Sequence, residues 1–416
     1  MAATAEDDHL PQRVRVSAPA KVLLFGEHAV VYGCPSVAVA LTDLRLSVAV
    51  VRASQGVRSV PEDTQLTVER TEDHGASIKF EFDEFLELQD DGEEIALTRS
   101  YSMASLRAVV DGLEDEVDFL PKPSTAVLSR IEELVANECE ESAKPLRPAL
   151  FLSCALLLKS PLLRGTQGGL CVRVTTGNFP IGAGLGSSAA FSVALAGALA
   201  QFRHPLPSLD SAYLLELVNQ YAFASEVILH GAPSGVDNTV SAFGGTLVFR
   251  KLPTPSYKRI ECDLSQFRFL IVNTRVPRST KEQVANVRVR YDADPEGVQH
   301  AFDTIEEIIN KFMTVGPRGA LTESVLGELM THNHSILNEL GVGHERIEEV
   351  VELCQARGIW TKLTGAGGGG CTVSLVPQYL TDEDVAGVVE ELEALGFECF
   401  LSAIGGAGLT IHFRYV

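Results

Sequence analysis

The hydrophobic and polar positions of this chain switch repeatedly between two periods. Alternation of period two, together with β-branched residues, predicts strands at residues 14–16, 21–25, 33–51, 66–69, 78–82, 170–175, 246–250, 267–273, 371–376, 397–403 and 409–413. Apolar positions three and four apart predict helices at residues 124–137, 148–163, 189–201, 211–230, 239–243, 279–290, 301–312, 323–340, 347–357 and 382–395. Strands and helices alternate throughout the second half, which indicates an α+β fold.

One stretch between a predicted strand and a predicted helix differs from the rest, because residues 180–190 read PIGAGLGSSAA. The glycines let the backbone pass close to a bulky anion, and the serines stand where the helix begins, among free N–H groups. This predicts a phosphate-binding loop, although an isolated match is as often a tight turn. No lysine follows the last glycine, so it is not a Walker A loop, and its mid-chain position excludes the dinucleotide motif.

Length and charge set limits on the function. The chain has 416 residues and a net charge of −21, which argues against nucleic acid or an anionic membrane as a partner. A chain of this length suggests two or three domains. A proline-marked segment that begins at residue 252 is the candidate linker, and it divides the chain into residues 1–252 and 253–416.

Cysteine usage and apolar runs bear on location. The eight cysteines are scattered without zinc-ligand or redox spacing, so a reducing compartment, the cytoplasm, is expected. Residues 1–13 are acidic and have no apolar core, which is not typical of a signal peptide. Charged residues interrupt the apolar runs 29–51 and 148–163, so no membrane span is predicted.

Four residues are candidates for chemistry, and each also has an ordinary structural explanation. Lys21 lies in a strand pattern, where it either reaches into a cleft or extends to the surface. Glu226 lies near the C-terminal end of a predicted helix, where a carboxylate opposes the helix dipole unless a cation lies beside it. Asp237 falls at the start of the next helix, as N-cap and first-turn aspartates do. His28, after an apolar strand, is more often a structural hydrogen-bonding residue than a catalyst.

A second glycine-rich segment occupies residues 365–370 and contains five glycines in six positions. Either this loop must flex or a ligand must come very close to it. His332 and His334 are two residues apart and cannot face one metal ion from a helix, so we interpret both as structural.

Three separated segments, taken together, resemble the GHMP small-molecule kinases. They are SAPAK and GEH within residues 17–28, the loop at 180–190, and KLTGAGGGG at 362–370. Within the family the chain is most similar to members that phosphorylate mevalonate, through residues 26–33, 230–238, 273–278 and 341–344. The ending that galactokinases have after GEH is absent. The resemblance spans nearly the whole chain and is weakest between residues 52 and 148.

The resemblance implies a two-domain fold with the active site between the domains. The N-terminal domain would be like domain 2 of ribosomal protein S5, and the C-terminal domain would be ferredoxin-like. The implied reaction is ATP-dependent phosphorylation of the C5 hydroxyl of (R)-mevalonate to 5-phosphomevalonate, on the route to isoprenoids and sterols. Mg²⁺ is the implied cofactor. A homodimer, and inhibition by prenyl diphosphates that compete for the ATP site, are further expectations from the family.

The resemblance also implies roles for the matching positions. Asp237 would accept the hydroxyl proton, and Lys21 would lie beside Asp237 and the attacking oxygen. Ser188 and Glu226 would hold Mg²⁺. Mevalonate would be bound by Glu27, His28, Lys21 and Asp237. The ATP phosphates would be bound by Lys21, Gly182, Ala183, Gly184, Leu185, Gly186, Ser187 and Ser188.

One departure and two alternative functions stay open at this point. Ala20 replaces the usual glycine, which is harmless in the extended backbone that we expect and costs about 1 kcal/mol or more if φ is positive. The first alternative is another kinase of the family, acting on phosphomevalonate, homoserine or a sugar. A phosphorylated substrate would need more cations than Lys21 with Arg275 or Arg278. The second is a non-catalytic ligand sensor, which would be free to lose the catalytic candidates, and all of them are present.

Overall fold

The computed structural model describes residues 13–53, 77–88, 94–113, 118–158, 169–177, 179–203 and 212–413. The strand predicted at 66–69 lies outside these residues. Twelve strands form within them: β1 Arg13–Phe25, β2 Pro35–Ala53, β3 Ser77–Leu88, β4 Glu94–Ser102, β5 Gly169–Thr175, β6 Thr246–Arg250, β7 Ser256–Ile260, β8 Arg268–Asn273, β9 Trp360–Leu363, β10 Cys371–Val376, β11 Glu398–Ser402 and β12 Thr410–Phe413.

The same residues form eleven α-helices. They are α1 Met103–Val110, α2 Thr125–Leu134, α3 Glu140–Ser153, α4 Ser187–Arg203, α5 Ala212–His230, α6 Val236–Phe243, α7 Thr280–Ala293, α8 Pro295–Val315, α9 Glu323–Glu339, α10 Glu345–Ala356 and α11 Asp382–Ala394. None of the described helices combines the length and the apolar character needed to cross a bilayer.

The larger sheet is organised around the long strand β2. Its order is β12-β1-β2-β5-β3-β4, and β6, with β7 beyond it, pairs with the first part of β2. All pairs are antiparallel except β3 with β5. The predicted phosphate-binding loop at residues 180–190, called the phosphate loop below, follows β5, and α6 precedes β6. Because β5 and β6 pair with successive parts of β2, the sheet brings this loop and α6 to the same region of the molecule.

The smaller sheet has the order β11-β8-β10-β9, and all of its pairs are antiparallel. Helix α11 connects β10 to β11, and helices α7 to α10 lie between β8 and β9. This is the β-α-β-β-α-β arrangement of a ferredoxin-like domain. Four helices, α7 to α10, take the place of the first helix of that arrangement, and every residue of this segment is described. The α+β fold class expected from the sequence is confirmed.

Strand β1 differs from its prediction. The sequence predicts two short strands, at 14–16 and 21–25, whereas β1 is continuous over thirteen residues. Its pairing with β2 shifts register between Pro19 and Lys21, which is why the alternation breaks there without ending the strand. Ala20 lies within this strand and is absent from the residues with positive φ. The expectation that alanine is tolerated at this position is therefore confirmed.

The helix predicted at 148–163 also differs. Helix α3 starts earlier, at Glu140, and continues into a π-helical turn, Cys154–Leu158, after which residues 159–168 lie outside the described part. Pro145 and Pro148 lie inside α3, and the sequence prediction wrongly began the helix at the second of them.

Helix α4 is the centre of the larger unit. Every residue from Ala189 to Phe202 is buried, and all of them except Ser192 and Gln201 are apolar. It packs on β1 and β2 and also on α5 and α6. Its alanines permit this close approach, which fixes the start of α4, and hence the phosphate loop, relative to the sheet.

The two sheets are joined by more than a single linker. Strands β7 and β12 both follow residue 252, yet both pair within the larger sheet. Isolated bridges also connect Leu41 with Ile404 and Gly244 with Ala407. The division into 1–252 and 253–416 remains a proposal about the chain, and the larger sheet takes strands from both sides of it.

Candidate active site

The phosphate loop is held at its centre by β1. The backbone N–H of Lys21 donates to the carbonyl oxygen of Leu185 over 2.9 Å, and the side chain of Leu185 is fully buried. Helix α4 starts directly after the loop, at Ser187, as the sequence predicts. The loop backbone therefore lies at the positive end of a buried helix, which favours an anion there.

Lys21 and Asp237 meet beside this loop. Their Nζ and Oδ1 atoms are 3.2 Å apart, with the lysine side chain 7% exposed and the aspartate side chain 38% exposed. A Cβ at Gly186 would lie 3.1 Å from Cγ of Lys21, so the glycine leaves room for the lysine chain. Gly186 also has a φ of +77°, which disfavours other residues. The pair thus lies at the edge of the anion site and is partly open to solvent.

Asp237 reaches this position through a tight local turn. Gly235 caps α6 with a left-handed φ of 83°, and Asp237 lies in the first turn. No side chain accepts a hydrogen bond at that cap. Asp237 is therefore a first-turn aspartate and not the N-cap, so of the two ordinary structural explanations only the first-turn one holds.

Glu226 and Ser188 lie together at the other side of the loop. The Ser188 hydroxyl donates to Glu226 Oε2 over 3.0 Å, and Ser192 donates to Oε1 over 3.4 Å. Burial, and then the negative charge of Asp237, raise the pKa of Glu226 to about 8 against the opposing effect of these hydrogen bonds. A buried carboxylate near a second carboxylate and a hydroxyl would gain a stabilising partner from a hard divalent cation.

The donor set is too small to hold a metal ion alone. Among the described residues there is no group of three or more His, Cys, Asp or Glu side chains placed to ligate one. This fits Mg²⁺, which keeps water and takes ligands from substrate phosphates, needing few protein ligands.

His230 is a neighbour of this pair that sequence reasoning missed. Its Nε2 lies 3.1 Å from Ser188 Oγ and 3.6 Å from Glu226 Oε2. Since Ser188 donates its one hydrogen to Glu226, the ring N–H of His230 donates to Ser188. The spacing of four residues from Glu226 on one helix was the available signal.

Glu27 is buried and has its own partners within the protein. It forms an ion pair of 2.5 Å with Lys362, and both side chains are 0% exposed. Asn333 donates to the second carboxylate oxygen over 3.4 Å, and Lys362 also donates to the carbonyl oxygen of Leu363. Burial lowers the pKa of Lys362, and Glu27 opposes that shift. In this arrangement Glu27 has no open face towards a substrate.

His28 is held from the same direction. Its Nε2–H donates to the carbonyl oxygen of Ala366 over 2.9 Å, and its φ is 61°, which is uncommon for a residue with a side chain. Burial lowers the pKa of His28. The positive φ of His28, its hydrogen bond to Ala366 and the Glu27–Lys362 pair show that β9 and the loop after it hold the GEH segment in place.

Glycines of the 365–370 segment lie in close contact with other parts of the chain. A Cβ at Gly367 would lie 2.1 Å from the carbonyl oxygen of Val342, and one at Gly369 would lie 2.8 Å from that of Val276. The N–H of Gly368 also donates to Val342 over 2.8 Å. At Gly367 and Gly369 the close packing against backbone and the positive φ, 71° and 126°, both require glycine.

Two structural comparisons agree with this architecture. The mevalonate kinase of L. major, in complex with R-mevalonate, matches with a TM-score of 0.63 and 21% identity over 94% of this chain and 96% of that one. The galactokinase of Lactococcus lactis, complexed with galactose, matches with a TM-score of 0.59 and 16% identity over 96% of this chain and 95% of that one. Both show the fold alone.

Sequence comparison decides the family. The model of the GHMP kinases N terminal domain matches residues 149–245, and that of the GHMP kinases C terminal domain matches 320–395. The mevalonate kinase of Homo sapiens is 33% identical, over 97% of this chain and 96% of the human protein. That of Arabidopsis thaliana is 33% identical, over 96% and 99%. The chain belongs to the mevalonate kinase family of GHMP kinases. Membership in the mevalonate kinase family confirms the resemblance, the enzyme class and the two-domain GHMP fold.

Proposed function

We propose that this protein transfers the γ-phosphoryl group of ATP to the C5 hydroxyl of (R)-mevalonate and forms 5-phosphomevalonate, on the route to isoprenoids and sterols. The observation that carries the proposal is the Lys21–Asp237 pair, 3.2 Å apart beside Gly186 of the phosphate loop. The curated relatives, which are mevalonate kinases in animals, plants and fungi, support the choice of substrate.

Asp237 acts as the base in this reaction. Its carboxylate takes the proton as the O–H bond of the C5 hydroxyl breaks, a bond forms between that oxygen and the γ-phosphorus, and the bond to the β-phosphate oxygen breaks to release ADP. The ammonium of Lys21 stabilises the ionised carboxylate and the negative charge on the attacking oxygen. The loop from Gly182 to Ser188 holds the phosphates through its N–H groups.

The remaining site residues bind the cation and the alcohol. Ser188 and Glu226 would hold Mg²⁺, which when bound neutralises charge on the nucleotide phosphates. His28 would contact mevalonate from the GEH segment. Glu27, which is paired with Lys362, would contribute to substrate binding by holding that segment in place.

A substrate panel tests the proposal against the other kinases of the family. Initial rates of ADP release are measured with mevalonate, phosphomevalonate, homoserine and galactose at equal concentration. We expect kcat/KM for mevalonate to exceed the others by about 10⁴-fold or more, because a site built for one set of polar groups leaves them unpaired with another. Turnover of another alcohol at the higher rate would replace mevalonate as substrate. Nucleotide binding without turnover of any would favour the sensor.

Glu226→Gln tests the cation site. The amide cannot supply a negative oxygen, so we expect the Mg²⁺ concentration for half-maximal rate to rise by about tenfold or more. The measurement is a Mg²⁺ titration at saturating ATP and mevalonate. Glu216→Gln is the matched control, because Glu216 lies on the same helix, away from the Ser188–Glu226 pair, and should leave the titration unchanged. Superimposable curves for wild type and Glu226→Gln would remove Glu226 from the site.

Three further properties complete the proposal. The described cysteines are all free thiols, which supports a cytoplasmic location. The homodimer and the inhibition by prenyl diphosphates at the ATP site are supported by family likeness. Light scattering at several protein concentrations tests whether the protein is a homodimer. Inhibition by geranyl diphosphate at varied ATP tests whether prenyl diphosphates compete for the ATP site.

A further inference from the structure

The side chain of Arg278 runs from the turn after β8 into the space between the two glycine-rich loops. A Cβ at Gly184, in the phosphate loop, would lie 1.6 Å from its Nη2. A Cβ at Gly370, in the second loop, would lie 2.6 Å from its Nε. The two loops close around this guanidinium, and a side chain at either glycine would displace it.

The guanidinium has no acceptor in this position. Its Nη1 is buried without a hydrogen-bond partner, and Arg278 forms no ion pair with any residue in the described part of the chain. Burial lowers the pKa of Arg278, while the charge of Asp237 acts in the opposite direction. A guanidinium offers five donors, so enclosing it without an anion is unfavourable until one arrives.

Arg45 shows how the same fold satisfies an arginine whose role is structural. Its guanidinium donates to Ser17 and to the carbonyl oxygens of Ala407 and Gly408, and so ties β1 to the segment before β12. All three nitrogens of that guanidinium have acceptors. The contrast indicates that the unpaired N–H donors of Arg278 bind a ligand.

We propose that Arg278 binds the terminal phosphoryl group of the nucleotide. Its guanidinium lies against Gly184, and Lys21 lies against Gly186, two residues further along the same loop. Residues two apart are separated by at most about 7 Å, so both cations reach one phosphoryl-sized group at the loop. The planar fork of an arginine matches two phosphoryl oxygens. This inference rests on the proposed function for the place of the nucleotide.

The assignment gives Arg278 a part in the transfer step as well as in binding. Negative charge on the moving phosphoryl group is spread over its oxygens, and a fixed guanidinium stabilises it there. The turn that carries Arg278 follows residue 252, whereas the phosphate loop precedes it. The nucleotide would therefore contact side chains from both parts of the chain.

The experiment compares a triphosphate with a diphosphate in the absence of alcohol. Calorimetry measures the affinity of Arg278→Met for AMP-PNP and for ADP, each with Mg²⁺. We expect the affinity for AMP-PNP to fall by about tenfold or more and that for ADP to change by less than about threefold. In turnover, kcat should fall by about 10²-fold with the KM for mevalonate unchanged.

Two further variants sharpen the test. Arg278→Lys keeps the positive charge and loses the planar pair of N–H donors, so we expect a smaller loss of affinity, confined to AMP-PNP. This variant provides the test if Arg278→Met does not fold. Arg275→Met is the matched control. Arg275 lies in the same turn, is exposed and reaches Glu398 at 3.9 Å, so both nucleotides should bind as in wild type.

An equal loss of affinity for AMP-PNP and ADP, or no loss for either, would overturn the proposal, because a purely structural role of Arg278 would not distinguish the two nucleotides. A rise in the KM for mevalonate alone would also overturn it and assign Arg278 to the carboxylate of the substrate. The binding data do not depend on the alcohol. Selective binding in a protein that fails to phosphorylate mevalonate would therefore contradict the proposed function and leave this inference standing.

Discussion

Asp237→Asn is expected to lose about 10³-fold in kcat while it keeps its affinity for the nucleotide. The amide has the shape of the carboxylate and cannot accept the proton of the alcohol, which removes the base from the transfer step. Asp237 also raises the pKa of Glu226, so the substitution makes that carboxyl easier to ionise. Binding of ADP with Mg²⁺ should be unchanged or tighter. Single-turnover kinetics and calorimetry measure the two quantities.

The matched control is Asp382→Asn. Asp382 also lies in the first turn of a helix, α11, and is fully exposed far along the chain from the site. Loss of a carboxylate from a helix start is common to both variants, so only Asp237→Asn should affect kcat. A kcat within about fivefold of wild type for Asp237→Asn would exclude Asp237 as the base, because a general base contributes at least about 10²-fold.

The predictable parts of this molecule are those with local causes. Strands β6 and β10 have the bounds that alternation predicts, 246–250 and 371–376, because glycines border both runs. The phosphate loop and the start of α4 follow from glycine freedom and from serine at a helix start. Local chemistry fixes these elements regardless of what packs against them.

The sequence names the residues of the candidate site but does not give their arrangement in space. Lys21 and Asp237 are 216 positions apart, and no pattern places them together without the known order of family motifs. The structure brings them within 3.2 Å through β2, which pairs with β1, β5 and β6. Sheet pairing between distant strands is therefore the step that periodicity cannot supply.

Lys362 is a second residue whose partner cannot be found from the sequence. It lies in the short strand β9, where a lysine is expected to reach solvent, and the sequence marks it only as part of the KLTGAGGGG segment. Its complete burial depends on Glu27, 335 residues away. The role of Glu27 in binding mevalonate stays a prediction, and no pattern near Glu27 in the sequence indicates that its partner is Lys362.

Lys362→Met should therefore destabilise the protein strongly. The substitution leaves the Glu27 carboxylate buried without its cation, and breaking such a pair costs about 3–5 kcal/mol of unfolding free energy. Urea unfolding followed by circular dichroism measures the loss.

The double variant Glu27→Gln/Lys362→Met distinguishes the loss of the whole ion pair from the loss of one of its two charges. Removing both charges leaves no isolated ion, and Asn333 can still donate to the glutamine oxygen, so most of the lost stability should return. Arg250→Met breaks a solvated pair with Glu306 and should leave the urea midpoint close to wild type. If the double variant is as unstable as Lys362→Met, the charge pair is not what joins the GEH segment to β9. If it is stable but has a higher KM for mevalonate, the ion pair sets the position of His28 without being needed for folding.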